Sequence, residues 1–288
     1  MTDKFDFVVP PKQLAAAVAY IRSQVSSIPT TAIVLGTGLG YFAHLLKTDF
    51  TFKQSQIPHF PSVSVAGHQG NLIFGRIAEA ELLAIQGRVH YYEGKTLAEV
   101  TFYVQLLHRL GIKNLILTNA AGSVNPDLTA GELMMIRNFI NFTQLPIIPE
   151  DLAPEQIFAP KLADIAQITS QQSGIHLFEG TYCWTTGPSY ETNAEVQIIR
   201  ALGGDVVGMS TLPEALVAAH LGLQVLVISL VTNMATGIST KPLSHHEVQA
   251  AAARIKKPYS KFMSALVYNI VSSETKHLKR PFNTQTVG

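Results

Sequence analysis

Four short, almost wholly apolar runs constrain the fold of this 288-residue chain more than any other feature. They are Thr31-Ala32-Ile33-Val34-Leu35, Glu81-Leu82-Leu83-Ala84-Ile85-Gln86, Leu115-Ile116-Leu117-Thr118 and Val225 to Val231. Runs this short and this continuous read as strands buried on both faces. Stretches with helical spacing lie around them. Leu14, Val18, Ile21 and Val25 fall on one face over residues 11–25, and further helices are expected over Leu97 to Leu110 and Lys161 to about Ser173. Another carries Val196 and Ile199 with Thr192 or Asn193 as cap, and one opens at Leu212-Pro213-Glu214-Ala215. The last runs from His245-His246-Glu247 to about Val271. Helices also fit a start in Gly36-Thr37-Gly38-Leu39-Gly40 running through Leu46. Additional strands are expected at His176 to Trp184, at Asp205-Val206-Val207, and in a hairpin pairing Ser62-Val63-Ser64-Val65 with Asn71-Leu72-Ile73-Phe74-Gly75. Strands alternating with helices predict one α/β domain, a mixed or mostly parallel central β-sheet flanked by helices. The domain is expected to span residues 1–274, with 275–288 as a solvated tail.

Composition narrows the function class. The chain is 47% apolar, has a formal net charge of +1, and contains a single cysteine, Cys183. An ample core follows, a disulfide framework does not. No lysine/arginine block occurs before Lys276-His277-Leu278-Lys279-Arg280, so a nucleic-acid surface is not expected. The N-terminus shows no apolar leader, and the longest apolar run is far short of a membrane span. The expectation is a cytoplasmic protein with neither nucleic acid nor membrane as partner. Residues 141–160, with Pro146, Pro149, Pro154 and Pro160, read as a long loop, a lid or interface arm.

Chemistry collects at the strand ends. Gly87-Arg88-Val89-His90-Tyr91-Tyr92-Glu93-Gly94 follows the second run, and ligands in α/β proteins sit just past the carboxyl ends of strands. Arg88 offers a planar cationic fork suited to phosphate, and His90 a proton donor near neutral pH. The octapeptide alone also fits a polar loop pairing its own charges. Gly36 to Gly40 is a glycine turn after a strand, where backbone N–H groups can hold an anion. It is not a dinucleotide fingerprint, because the third glycine position is Tyr41, and it lacks a P-loop lysine. Asn119-Ala120-Ala121-Gly122-Ser123 reads as a small-residue loop, consistent with close ligand approach or with close packing. Glu191 fits either a dipole partner of the next helix or a carboxylate that reads a base. The candidate groups are Thr37, His68, Arg88, His90, Tyr92, Glu191, Ser210, Asn233 and His245. No metal-ligand spacing, nucleophile elbow or activated nucleophile accompanies them. Phosphate-type groups without a protein nucleophile point to phosphate itself as attacker or cargo.

Gly36-Thr37-Gly38-Leu39-Gly40, Gly67-His68, the octapeptide at 87–94, Thr118-Asn119-Ala120-Ala121-Gly122, Gly187-Pro188-Ser189-Tyr190-Glu191-Thr192, Gly208-Met209-Ser210-Thr211 with Pro213-Glu214, and Thr232-Asn233 resemble the trimeric purine nucleoside phosphorylases. The motifs occur in that family's order and spacing from about residue 30 to 250. The resemblance implies phosphorolysis of purine nucleosides to free base and ribose 1-phosphate in purine salvage. It implies a homotrimer, inorganic phosphate as co-substrate and no cofactor or metal. By resemblance, Thr37, His68, Arg88, His90, Ala120 and Ser210 hold phosphate, with threonine replacing the family's usual serine at 37. Tyr92, Met209 and His245 line the ribose. Ala121, Gly122, Tyr190, Glu191, Val207, Thr232 and Asn233 surround the purine. Asn233, His90 and Glu191 carry the catalysis, and Glu93 orients phosphate ligands. A carboxylate at Glu191 accepts from N1–H, which only 6-oxopurines carry, so inosine and guanosine are the expected substrates and adenosine is rejected.

Two departures bear on specificity. The 145–160 loop lacks the family's Asn-Asp-Glu-Arg-Phe-Gly pattern, and Phe158 is the aromatic available to cap a neighbouring subunit's ribose. Met234-Ala235-Thr236-Gly237-Ile238-Ser239 is similar to bacterial inosine-guanosine and xanthosine phosphorylases, which leaves xanthosine open. A 5′-methylthioadenosine phosphorylase would carry aspartate at 233, no carboxylate at 191 and an apolar residue at 245. A silent nucleoside-binding protein would not need the phosphate ligands, and a nucleoside hydrolase would need an aspartate-rich calcium site.

Overall fold

The computed structural model describes residues 7–63, 69–147, 152–153, 156–238 and 253–274. Among these residues nine strands form one sheet: β1 (Thr31–Leu35), β2 (Lys47–Lys53), β3 (Asn71–Ile77), β4 (Ala80–Gln86), β5 (Asn114–Ser123), β6 (Leu133–Asn141), β7 (Leu177–Trp184), β8 (Val206–Gly208) and β9 (Gln224–Met234). Their order is β2-β3-β4-β1-β5-β8-β7-β6-β9, and β9 also pairs with β5. The last five strands therefore close a ring through β5, and the first four extend from it as an open sheet. Strands β4, β1, β5 and β9 are parallel neighbours, so their carboxyl ends lie together along one edge. Antiparallel pairs β2–β3, β3–β4, β6–β9 and β5–β8 make the sheet mixed.

The four apolar runs are β1, β4, the first half of β5 and most of β9, and alternation divides their side chains between two cores. Ala32, Val34, Leu115, Leu117, Val225 and Val227 face one cluster with Leu14, Ile21, Phe102, Leu106 and Leu216. Those partners come from α1 (Pro11–Arg22), α2 (Leu97–Leu110) and α5 (Leu212–His220). Ile33, Leu35, Ile116, Leu226 and Ile228 face the other cluster with Leu162, Ala166, Phe262, Leu266 and Ile270, from α3 (Pro160–Ser173) and α6 (Lys256–Glu274). A sheet covered on both faces explains why its central strands read as continuous rather than alternating hydrophobic runs. The remaining helix, α4 (Asn193–Ala201), is capped by Thr192, whose hydroxyl accepts from the Glu195 N–H while the Glu195 carboxylate accepts from the Thr192 N–H, a capping box.

Several expectations are corrected. Residues 36–46 form only a short 3-10 segment at Gly40–Leu45. The hairpin partner of β3 is β2, not Ser62-Val63, and β3 also pairs with β4. Asn119 to Ser123 continues β5 instead of forming a loop, and β6 has no counterpart in the sequence reading. The residues from 245 to 252 expected to open the last helix, Ser64-Val65 and His68 of the expected hairpin, and the expected tail from 275 lie outside the described residues. No helix among the described residues is long and apolar enough to cross a membrane.

Candidate active site

A cleft of about 360 Å³ opens along the carboxyl edge of the parallel strands. It is lined by Thr37 after β1, by Arg88, His90 and Tyr92 after β4, by Ala120, Ala121 and Gly122 in β5, and by Thr232 and Asn233 in β9. Tyr190 and Glu191 come from the loop after β7, Val207 from β8, and Met209 and Ser210 from the turn after β8. All fourteen candidates that fall among the described residues therefore line one cleft, together with Gly36, Asn119, Pro188, Gly208 and Ala235. His68 and His245, assigned by resemblance to phosphate and ribose, lie outside the described residues.

One end of the cleft is built for an anion. Arg88 is only 2% exposed. One terminal nitrogen donates to the Thr118 carbonyl at 2.6 Å. The other reaches Thr211 Oγ1 at 2.9 Å, Ser210 Oγ at 3.3 Å and Glu214 Oε2 at 3.4 Å. Thr211 adopts φ +76° and ψ −47°, and the Leu212 N–H donates to the Ser210 carbonyl at 2.9 Å. This is a γ-turn of the strained, positive-φ kind. A non-glycine residue held there stores about 1–3 kcal/mol and persists only where its surroundings enforce it. Arg88, Asn119 Nδ2 at 3.1 Å and Ser210 Oγ at 3.0 Å all engage its hydroxyl, and Tyr182 Oη donates to the Ser210 carbonyl at 3.1 Å. The turn thereby sets Ser210 beside Arg88. His90 Nδ1 lies 2.9 Å from Glu93 Oε1, which also accepts from the His90 backbone N–H at 2.6 Å. A carboxylate at Nδ1 selects the tautomer protonated there. Tyr92 stacks on the His90 ring at 4.8 Å and 14°. Burial, helped by Glu93 and Tyr190, pushes its phenol up to about 12, so it stays a neutral donor.

The cleft lining also carries an acceptor and a donor. Glu191, 9% exposed, accepts from Thr185 Oγ1 at 2.8 Å. Burial raises its carboxyl above the usual range, and the hydrogen bonds from its own backbone N–H and from Thr185 oppose that rise. Asn233 Oδ1 accepts from Thr232 Oγ1 at 2.9 Å and Nδ2 donates to the Met234 carbonyl at 3.3 Å, which orients the amide with Nδ2 as its donor. The pairing of β5 with β9 shifts between Ala121 and Gly122: Val231 opposes Ala121, but Asn233 opposes Gly122. Thr232 is the extra residue of a bulge, a device that re-aims side chains beside active sites. It lets two consecutive residues, Thr232 and Asn233, both line the cleft.

The sequence reading did not single out Asn119, Thr211, Tyr103 or Glu214 as functional. Glu214 had a visible signal, a carboxylate in the first turn of a helix after proline, but that pattern is common. Phe158 packs half-buried against the first core cluster. Cys183 and Trp184 are fully buried, as their strand position predicts. Among the described residues no group of three or more His, Cys, Asp or Glu side chains could hold a metal ion.

The profile of the phosphorylase superfamily matches residues 30–267. The chain is 39% identical over 266 residues to purine nucleoside phosphorylase 1 of Geobacillus stearothermophilus, covering 89% of this chain and 97% of that one. It is 37% identical over 273 residues to the purine nucleoside phosphorylase of Bos taurus, covering 89% and 94%. Among solved structures, Schistosoma mansoni purine nucleoside phosphorylase in complex with inosine superposes with a TM-score of 0.82 at 30% identity, covering 89% of this chain and 96% of that one. A schistosoma purine nucleoside phosphorylase in complex with hypoxanthine also has a TM-score of 0.82, at 29% identity, covering 94% and 98%.

Proposed function

The chain belongs to the phosphorylase superfamily and within it to the purine nucleoside phosphorylases, and from that premise we propose that it phosphorolyses 6-oxopurine ribo- and deoxyribonucleosides. One observation carries the reading: a buried arginine-serine-histidine corner and a wall with one fixed acceptor and one fixed donor share a single cleft. An anion-binding corner and base-reading groups in one cleft are what the transfer of a pentosyl group from purine to phosphate requires.

In the proposed reaction an oxygen of phosphate forms a bond to C1′ as the bond from C1′ to N9 breaks. The electron pair of that bond leaves with the purine. Positive charge at C1′ is met by the phosphate dianion held at Arg88, Ser210, His90, Thr37 and Ala120. Negative charge on the departing purine is met at N7 by the Asn233 amide donor, an interaction that strengthens toward the transition state and so accelerates the step. Glu191 accepts from purine N1–H, whereas adenosine presents a bare N1 and would leave a buried carboxylate unpaired, the kind of mismatch that discriminates strongly. Tyr92 and Met209, in the same cleft lining, are assigned to the ribose, and His245 is assigned there by resemblance alone. The same reading takes inorganic phosphate as the co-substrate without a further cofactor. It includes a homotrimer, a cytoplasmic setting and a place in purine salvage.

The test is base release from inosine, guanosine, xanthosine and adenosine, each with and without phosphate. Release from inosine and guanosine that depends on phosphate, with adenosine untouched, is the expected result, and xanthosine is ranked in the same assay. Release without phosphate, or adenosine cleaved first, overturns the reading.

A further inference from the structure

Behind Arg88 stands a charge that lies outside the cleft lining. Glu214, in the first turn of α5, is 0% exposed. Its Oε2 lies 3.4 Å from the Arg88 guanidinium, with both side chains at most 1% exposed. Its Oε1 accepts from Tyr103 Oη at 2.7 Å, a hydroxyl carried on α2. Burial and the neighbouring carboxylate hold the Tyr103 phenol protonated, so it is a permanent donor. The carboxylate is thus pinned from one side by a neutral hydroxyl and directed from the other at the arginine.

A buried carboxylate is costly to keep unless it has a partner and a task, and the placement supplies both. Arg88 has a long flexible stem, and its fork is useful to phosphate only in one orientation. One terminal nitrogen is fixed by the Thr118 carbonyl; the other meets the neutral hydroxyls of Thr211 at 2.9 Å and Ser210 at 3.3 Å, and Glu214, at 3.4 Å, adds a negative charge on its helix side. We propose that Glu214, backed by Tyr103, is the positioning residue of the anion end: it holds the Arg88 guanidinium in its phosphate-binding orientation and so sets affinity for phosphate rather than for nucleoside. The inference rests on the phosphorolysis reading above. It reaches beyond that reading because neither residue touches the cleft.

The experiment compares Glu214→Gln and Tyr103→Phe with the unaltered enzyme, measuring KM for phosphate at saturating inosine, KM for inosine at saturating phosphate, and kcat. Glu214→Gln keeps the shape and an acceptor but removes the charge. It is expected to raise KM for phosphate about tenfold or more and to change KM for inosine less than twofold. Tyr103→Phe, which leaves the charge and loosens it, is expected to raise KM for phosphate about two- to fivefold in the same direction. If Glu214→Gln does not fold, Tyr103→Phe decides alone. An unchanged KM for phosphate, or equal rises in both KM values as a general loosening would give, overturns the proposal. Failure of the underlying function would look different, because the unaltered enzyme would then release base without phosphate.

Discussion

Gly122 and Asn233 are directly opposed across β5 and β9, and a Cβ at Gly122 would lie 3.0 Å from Asn233 Nδ2. The donor assigned to purine N7 therefore occupies space that any side chain at 122 would contest. The backbone there is not in the left-handed region, so Gly122→Ala is tolerated by the chain itself and acts on its neighbour. Removing one preorganised transition-state donor costs about 100- to 1,000-fold in kcat. Displacing it by a few tenths of an ångström is expected to cost about 10- to 100-fold. Steady-state kinetics with inosine, alongside a melting temperature within a few degrees of the parent, is the check. An unchanged kcat would separate Asn233 from the leaving-group role.

Glu191 links activity and stability to pH with opposite signs. Its native carboxyl titrates above the ordinary range because it is buried, and the ionised form is the one that accepts from N1–H. As pH falls through that raised value, kcat/KM for inosine is expected to drop at a higher pH than an ordinary glutamate, near 4.3, would dictate. Stability runs the other way. A carboxyl that binds its proton more tightly in the native state contributes stability that is fully present below its unfolded value and is lost as pH rises through the native one. Glu191→Gln should thus lose the acid limb and most inosine turnover, yet melt above the parent at neutral pH. A parent acid limb at the ordinary glutamate position would contradict the assignment.

Thr185 tunes that group. Its hydroxyl donates to Glu191 Oε1 at 2.8 Å and lowers the carboxyl's affinity for a proton. Thr185→Val keeps the volume and removes the donor. The acid limb is expected to move further up in pH, with turnover of inosine reduced on the acid side of the profile and recovered as pH rises. A pH–rate profile superimposable on the parent's would show that the hydroxyl leaves Glu191 untouched.

What the sequence disclosed follows from burial. β1, the start of β5 and most of β9 are covered on both faces, so their identity is written in continuous apolar residues, and the polar clusters that follow them mark the cleft. β2 was hard to read because it is an edge strand in which only Phe50 and Phe52 turn inward against the core, an alternation of two positions that is too short to stand out. The second half of β5 is built of small and polar residues because it forms cleft wall, and such residues resemble a loop. The bulge at Thr232 is a property of register between β5 and β9, and Glu214 meets Arg88 across 126 residues. Neither can be read from a local pattern.

Gly36 shows the same long-range dependence, and the consequence can be measured. A Cβ there would lie 2.6 Å from the Thr118 carbonyl oxygen and 2.7 Å from Asn119 Cα. Both are backbone atoms of β5 and cannot rotate away. The Gly36 N–H donates to Thr118 Oγ1 at 3.2 Å, and that hydroxyl donates to the Val34 carbonyl at 2.7 Å, so β1 and β5 are tied together where the cleft begins. Overpacking of this kind costs about 1–3 kcal/mol, and about 1 kcal/mol lowers the melting temperature of a domain of this general size by about 2–4 °C. Gly36→Ala is expected to melt about 2–12 °C lower and to raise KM for phosphate, because parting the strands moves Thr37 away from the arginine corner. Gly40→Ala is the control: its Cβ would meet only the Gln86 side chain, at 3.5 and 3.6 Å, ordinary contact distances. It should melt and turn over like the parent. Equal melting temperatures for the two variants would mean that the close approach of β1 to β5 does not require glycine.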